Sequence, residues 1–104
     1  MYLFQRKMPI KPAKIDSVID GDTLKIQKGH RILPVRCRFI DCPEPDSKWG
    51  MRAKEFLEKA IADREVSMEE WGRDRYGRIL ADWYREGEQG RENLQVAIVD
   101  AALT

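Results

Sequence analysis

The residues best suited to chemistry fall in three short stretches. Asp20-Gly21-Asp22-Thr23 sets two carboxylates around a glycine. A hard cation such as Ca²⁺ wants several oxygen ligands, and a turn of this kind could supply some of them. The same four residues also read as a plain hairpin turn, for which Asp-Gly is a strong signal. The second stretch, Val35 to Glu44, carries Arg36 and Arg38 on a strand and follows them with Asp41 and Glu44 in a proline-bearing loop. A strand-borne arginine could grip a phosphate with both arms of its guanidinium. It could equally pair with Asp41 or Glu44 on the outside of the sheet. The third, Asp74-Arg75-Tyr76-Gly77-Arg78, offers two more cations and an aromatic ring. Its bland reading is a hairpin turn in which Gly77 takes a positive φ and Tyr76 packs on the end of the sheet.

Periodicity supplies the elements that would hold these stretches. Residues 1–12 contain Pro9 and Pro12 and little alternation, so an extended arm is expected ahead of a single domain at 13–104. From Ala13 the pattern is β. Ile15 and Val18-Ile19 run into the Asp20-Gly21 turn, and Leu24 and Ile26 alternate with polar neighbours. After Lys28-Gly29, Ile32 to Ile40 forms a longer strand with Val35, Cys37 and Phe39 on one face and Arg36 and Arg38 on the other. Pro43 and Pro45 enforce a loop. A helix over roughly 50–63 follows, its stripe made by Ala53, Phe56, Leu57, Ala60 and Ile61. Val66 and Met68 begin a fourth strand, Trp71 to Gly77 is a turn, and Arg78 to Tyr84 is a fifth strand. A last helix starts near Asn93 with Leu94, Ala97, Ile98 and Ala101 on one face. The order β-β-β-α-β-β-α suggests an α+β fold: a small five-stranded barrel of the OB type with helices.

Bulk properties bound the function. A chain of 104 residues suits one domain. No apolar run is long enough for a membrane span, so no membrane partner is expected. No signal peptide is legible in the chain as given, which is read as cytoplasmic, or secreted if it is a trimmed mature form. Cys37 and Cys42 are set at an odd spacing that sends strand side chains to opposite faces, so both are read as thiols, with Cys37 in the core. Net charge is only +1, which by itself announces no polyanion partner. Its distribution is uneven: up to residue 40 nine basic residues face only Asp16, Asp20 and Asp22. A basic half can attract nucleic acid, or can be lysine placed to keep strand edges apart.

Each stretch is weak alone; together and in this order they resemble the staphylococcal nuclease (thermonuclease-like) family. The resemblance rests on Val18 to Thr23, on Arg36 with Asp41-Cys42-Pro43-Glu44, on Ala53 to Leu57, and on Asp74 to Arg78. Asn93-Leu94 with Val96 to Val99 looks like a closing helix of that family, and the likeness covers roughly residues 13–104. It implies an OB-like barrel and a single Ca²⁺ held by Asp22, Asp41 and the backbone carbonyl of Cys42, where Thr is common, with Asp20 as a supporting acid. It implies that Arg36 and Arg78 grip the scissile phosphate and that Glu44 activates the attacking water. Arg75 and Tyr76 match positions that touch a terminal phosphate. The implied activity is Ca²⁺-dependent hydrolysis of DNA or RNA with low sequence specificity, by a monomer or weak homo-oligomer. The alternative is a barrel that binds nucleic acid or protein without cutting. The chain stops at Leu103-Thr104, without a counterpart to the final helix of larger members, and Trp49, Trp71 and Trp83 are candidates for exposed apolar surface.

Overall fold

The computed structural model describes residues 9–38, 47–62, 65–87 and 90–103. The strands are β1 (Ile10–Asp20), β2 (Thr23–Lys28), β3 (Arg31–Cys37), β4 (Val66–Arg73), β5 (Ile79–Gly87) and β6 (Gly90–Asn93). The helices are α1 (Lys48–Ile61) and α2 (Leu94–Leu103). The sheet order is β3-β2-β1-β4-β5-β6, and β3 also pairs with β5. That extra pairing closes the first five strands into a barrel. It is a parallel ladder of Val35 with Ile79, Arg36 with Leu80 and Cys37 with Ala81, among otherwise antiparallel pairs. The expected five-stranded barrel with two helices is therefore present.

Alternation explains the core. Leu24 and Ile26, Val35 and Cys37, Val66 and Met68, and Ile79, Ala81 and Trp83 send buried side chains inward from β2 to β5. Ala53, Leu57 and Ala60 from α1 and Leu94 and Ile98 from α2 complete the cluster. Helix α1 begins where Ser47 accepts a hydrogen bond from the Gly50 N–H at 3.0 Å, satisfying one of the first-turn donors. It packs against both α2 and β1.

Several expected boundaries move. The extended arm was placed at 1–12, but β1 begins at Ile10. Ile10, Lys11 and Pro12 pair with Glu69, Met68 and Ser67, and backbone pairing to β4 outweighs the lack of side-chain periodicity. The helix expected at 50–63 starts two residues earlier and ends at Ile61. The strand expected over 32–40 runs from Arg31 to Cys37, and Phe39 and Ile40 lie outside the described residues. The turn expected at Trp71 belongs to β4, because a bulge between Glu70 and Gly72 lets the strand continue to Arg73. A sixth strand, absent from the expected order, forms a hairpin with the end of β5. Trp83, a candidate for exposed surface, is fully buried, whereas Trp49 and Trp71 are exposed.

Candidate active site

The β1–β2 turn gathers the first group. Asp22 is buried, and its backbone N–H donates to Asp20 Oδ1 at 3.0 Å, which draws the two carboxylates together. Thr23 Oγ1 donates to Asp22 Oδ1 at 2.8 Å. The Asp22 carbonyl accepts from the Cys37 N–H at 2.7 Å, tying the turn to the end of β3. Arg36 reaches back, with Nη2 3.5 Å from Asp22 Oδ2. The pairing of Arg36 that the sequence leaves open to Asp41 or Glu44 thus includes Asp22, which lies nearest in register because Thr23 pairs with Arg36. Burial, followed by the hydrogen bond and repulsion from Asp22, pushes Asp20 from its ordinary 3.8 to about 6. A pair of carboxylates that retains a proton this readily is short of positive charge.

The turn between β4 and β5 gathers the second group, and Asp74 organises it. Asp74 Oδ1 accepts from the Tyr76 and Arg78 backbone N–H groups, both at 2.9 Å. Its Oδ2 accepts from Arg78 Nε at 2.7 Å, and its backbone bonds to Arg78 O and Gly77 N close the turn. Partial burial raises the Asp74 carboxyl, but these N–H groups and the guanidinium outweigh it and hold it below the ordinary value. Gly77 takes φ of 83°, the left-handed conformation expected of it. Tyr76 does not pack on the barrel end: it is 69% exposed, with the Arg75 guanidinium 5.0 Å and that of Arg78 5.6 Å from its ring centroid. Arg78 uses Nε for Asp74, and among the described residues its two terminal nitrogens meet no hydrogen-bond partner.

The β3–β5 ladder brings the two groups together. Arg36 is level with Leu80, and Arg78 stands two residues before Leu80, at the start of β5. Arg36 and Arg78 thus flank one seam, with the carboxylate turn joined to it through Cys37. Asp41, Cys42 and Glu44 lie outside the described residues. Among the described residues no three His, Cys, Asp or Glu side chains form a metal cluster. The Asp20–Asp22 pair nevertheless suits a hard divalent cation: its donors are oxygens, and Asp20 is protonated near pH 6 without one.

A further cluster has no forerunner in the sequence reading. Asp82 and Glu69 are cross-strand partners on the outside of the barrel, and both are buried. Arg38 places its guanidinium on Asp82 at 2.8 and 3.1 Å and over the Trp71 ring at 4.0 Å. Trp71 Nε1 donates to Asp82 at 3.0 Å.

A closed barrel bearing carboxylates and paired arginines at one seam defines a class of small barrel proteins built to meet a phosphate. The family model described as staphylococcal nuclease homologue matches residues 34–103, and the chain belongs to that family. It is 31% identical over 91 residues to a protein of Haemophilus influenzae named an uncharacterized endonuclease, covering 86% of this chain and 49% of that one. It is 36% identical over 86 residues to a micrococcal nuclease of Shigella flexneri, covering 83% and 49%. An Escherichia coli protein, also named an uncharacterized endonuclease, is 31% identical over 71 residues, covering 68% and 46%. The chain thus spans about half the length of these relatives.

Proposed function

We propose that this chain is a nuclease that hydrolyses phosphodiester bonds of DNA or RNA in a Ca²⁺-dependent way, with little sequence specificity. The observation that carries the reading is Arg78. Its guanidinium is aimed by Asp74 through Nε, while both terminal nitrogens are left to a ligand, at the seam it shares with Arg36. Two such forks beside one phosphate suit the negative charge that gathers on non-bridging oxygens in the transition state. Nuclease names among relatives with 31–36% identity support the same reading.

In this reading Asp22, Asp41 and the Cys42 carbonyl would hold Ca²⁺, with Asp20 hydrogen-bonded behind them. When bound, the ion would supply a further positive charge to the phosphate. Arg36 would exchange its long contact with Asp22 for a phosphate oxygen. Glu44 would orient the attacking water and accept its proton, which requires hydrogen-bond reach of that water. Exposed Tyr76, flanked by Arg75 and Arg78, would bind a neighbouring phosphate or base. The test is cleavage of single-stranded DNA and RNA at low salt with Ca²⁺, against an EGTA control. Cleavage lost in EGTA is the expected result. Salt-sensitive binding without cleavage would replace the proposal with a non-catalytic binding module.

A further inference from the structure

Arg38 is the last described residue before the loop that carries Asp41, Cys42 and Glu44. It is held in three ways at once. Its backbone N–H donates to the Ala81 carbonyl at 2.9 Å, which adds one more rung to the β3–β5 seam. Its own carbonyl accepts a hydrogen bond from Gln95 Nε2 on α2. Its side chain makes the two-armed contact with Asp82 and covers Trp71.

The chemistry around it explains why the contact is firm. Like charges set directly opposite on a sheet repel, and Glu69 and Asp82 are such a pair. The hydrogen bond to Asp82, opposed by partial burial and aided by the charges of Asp82 and Glu69, holds Arg38 firmly protonated. Withdrawing its guanidinium would leave two buried carboxylates facing each other. The barrel therefore favours one placement of Arg38, and with it one direction for the chain that follows.

We propose that Arg38 is a positioning residue, clamped by Asp82, Trp71 and Gln95, that fixes where the Asp41–Glu44 loop leaves the barrel and keeps Arg36 in register with β5. This rests on the nuclease reading for its consequence in catalysis, but the clamp itself is testable without catalysis. Amide hydrogen exchange would be followed in the full chain, unaltered and as Asp82→Asn, Arg38→Lys and Trp71→Phe. Asp82→Asn keeps the shape and removes the charge; Arg38→Lys keeps the charge and removes the fork; Trp71→Phe keeps the ring beneath the guanidinium.

The expected result for Asp82→Asn and Arg38→Lys is roughly ten-fold faster exchange at 39–46, with β2 and β5 amides unchanged, while Trp71→Phe stays within about three-fold. The Ca²⁺ concentration for half-maximal cleavage should rise about ten-fold in the first two, with turnover at saturating Ca²⁺ within about three-fold. Exchange at 39–46 that is unchanged, or that rises in step with the whole barrel, would overturn the proposal. So would an unmoved Ca²⁺ requirement in variants that still cleave. Local exchange changes in a chain that never cleaves would uphold the clamp and overturn the nuclease reading.

Discussion

Asp22→Asn offers a test of the carboxylate turn that does not depend on activity. In the unaltered chain Asp20 rises from 3.8 to about 6. A move of that size is worth about 3 kcal/mol in full. Asp20 keeps one side in solvent, and burial rather than Asp22 is the larger cause, so relief of Asp22 is worth only about 1 kcal/mol. Against this stands the contact to Arg36, long at 3.5 Å and worth about 1 kcal/mol or less. Asparagine keeps an oxygen for Thr23.

The direction with pH follows from linkage. A carboxyl raised in the folded state contributes stability that is full below about pH 4 and lost as pH climbs through about 6. Urea unfolding in EGTA should therefore show the unaltered chain losing stability between pH 4 and 7. The variant should lose less, and at pH 7.5 the two should agree within about 1 kcal/mol. Ca²⁺ at a hundred times its dissociation constant should then stabilise the unaltered chain by about 2.7 kcal/mol and the variant far less. A variant weaker by more than about 2 kcal/mol at pH 7.5 in EGTA would refute the charge-crowding argument. Equal stabilisation of both by Ca²⁺ would remove Asp22 as a ligand.

Three further outcomes are expected. Arg36→Ala and Arg78→Ala should each lower hydrolysis by on the order of 10²–10³, with the exposed Lys59→Ala as an unaffected control; unchanged rates in both arginine variants would remove the site. Glu44→Gln should lower turnover while nucleic-acid binding, read by anisotropy, survives, and equal loss of both would make Glu44 structural. Trp83→Phe should cost under about 1 kcal/mol in a urea melt: the buried Nε1 meets no hydrogen-bond partner, so its removal relieves about 1–3 kcal/mol that offsets the lost packing. A cost above about 3 kcal/mol would mean that a water satisfies that nitrogen.

The inward faces of β2, β3 and β5 are legible because their apolar residues alternate, and α1 and α2 because their stripes repeat at helical spacing. Strand β6 is not: Gly90-Arg91-Glu92-Asn93 has no apolar alternation, and it is held by the backbone ladder to β5 with the Arg85–Glu92 and Arg91–Glu86 ion pairs. The start of α1 at Lys48 depends on the Ser47 cap, a signal independent of the apolar stripe. Asp20, Asp22, Arg36 and Arg78 stand out in sequence because acids beside a turn glycine and arginines at strand ends are conspicuous. Asp74 is conspicuous only as a turn residue, although it aims Arg78. Asp82 and Glu69 look like ordinary outward strand polars, because two-residue periodicity reports the face of a side chain and not what covers that face.

The parallel seam also governs when the protein can first act. Arg36 and Leu80 are joined in register across a long stretch of intervening chain, so this rung is among the entropically costly ones to form. The carboxylate turn and Arg36 are neighbours within a local meander and can assemble early. Arg78 joins them only when β5 docks and the barrel shuts. A growing or partly unfolded chain thus possesses the cation-binding end before it possesses the second phosphate grip. Cleavage in the proposed reading is withheld until the last ladder closes, so the geometry that completes the fold also arms it.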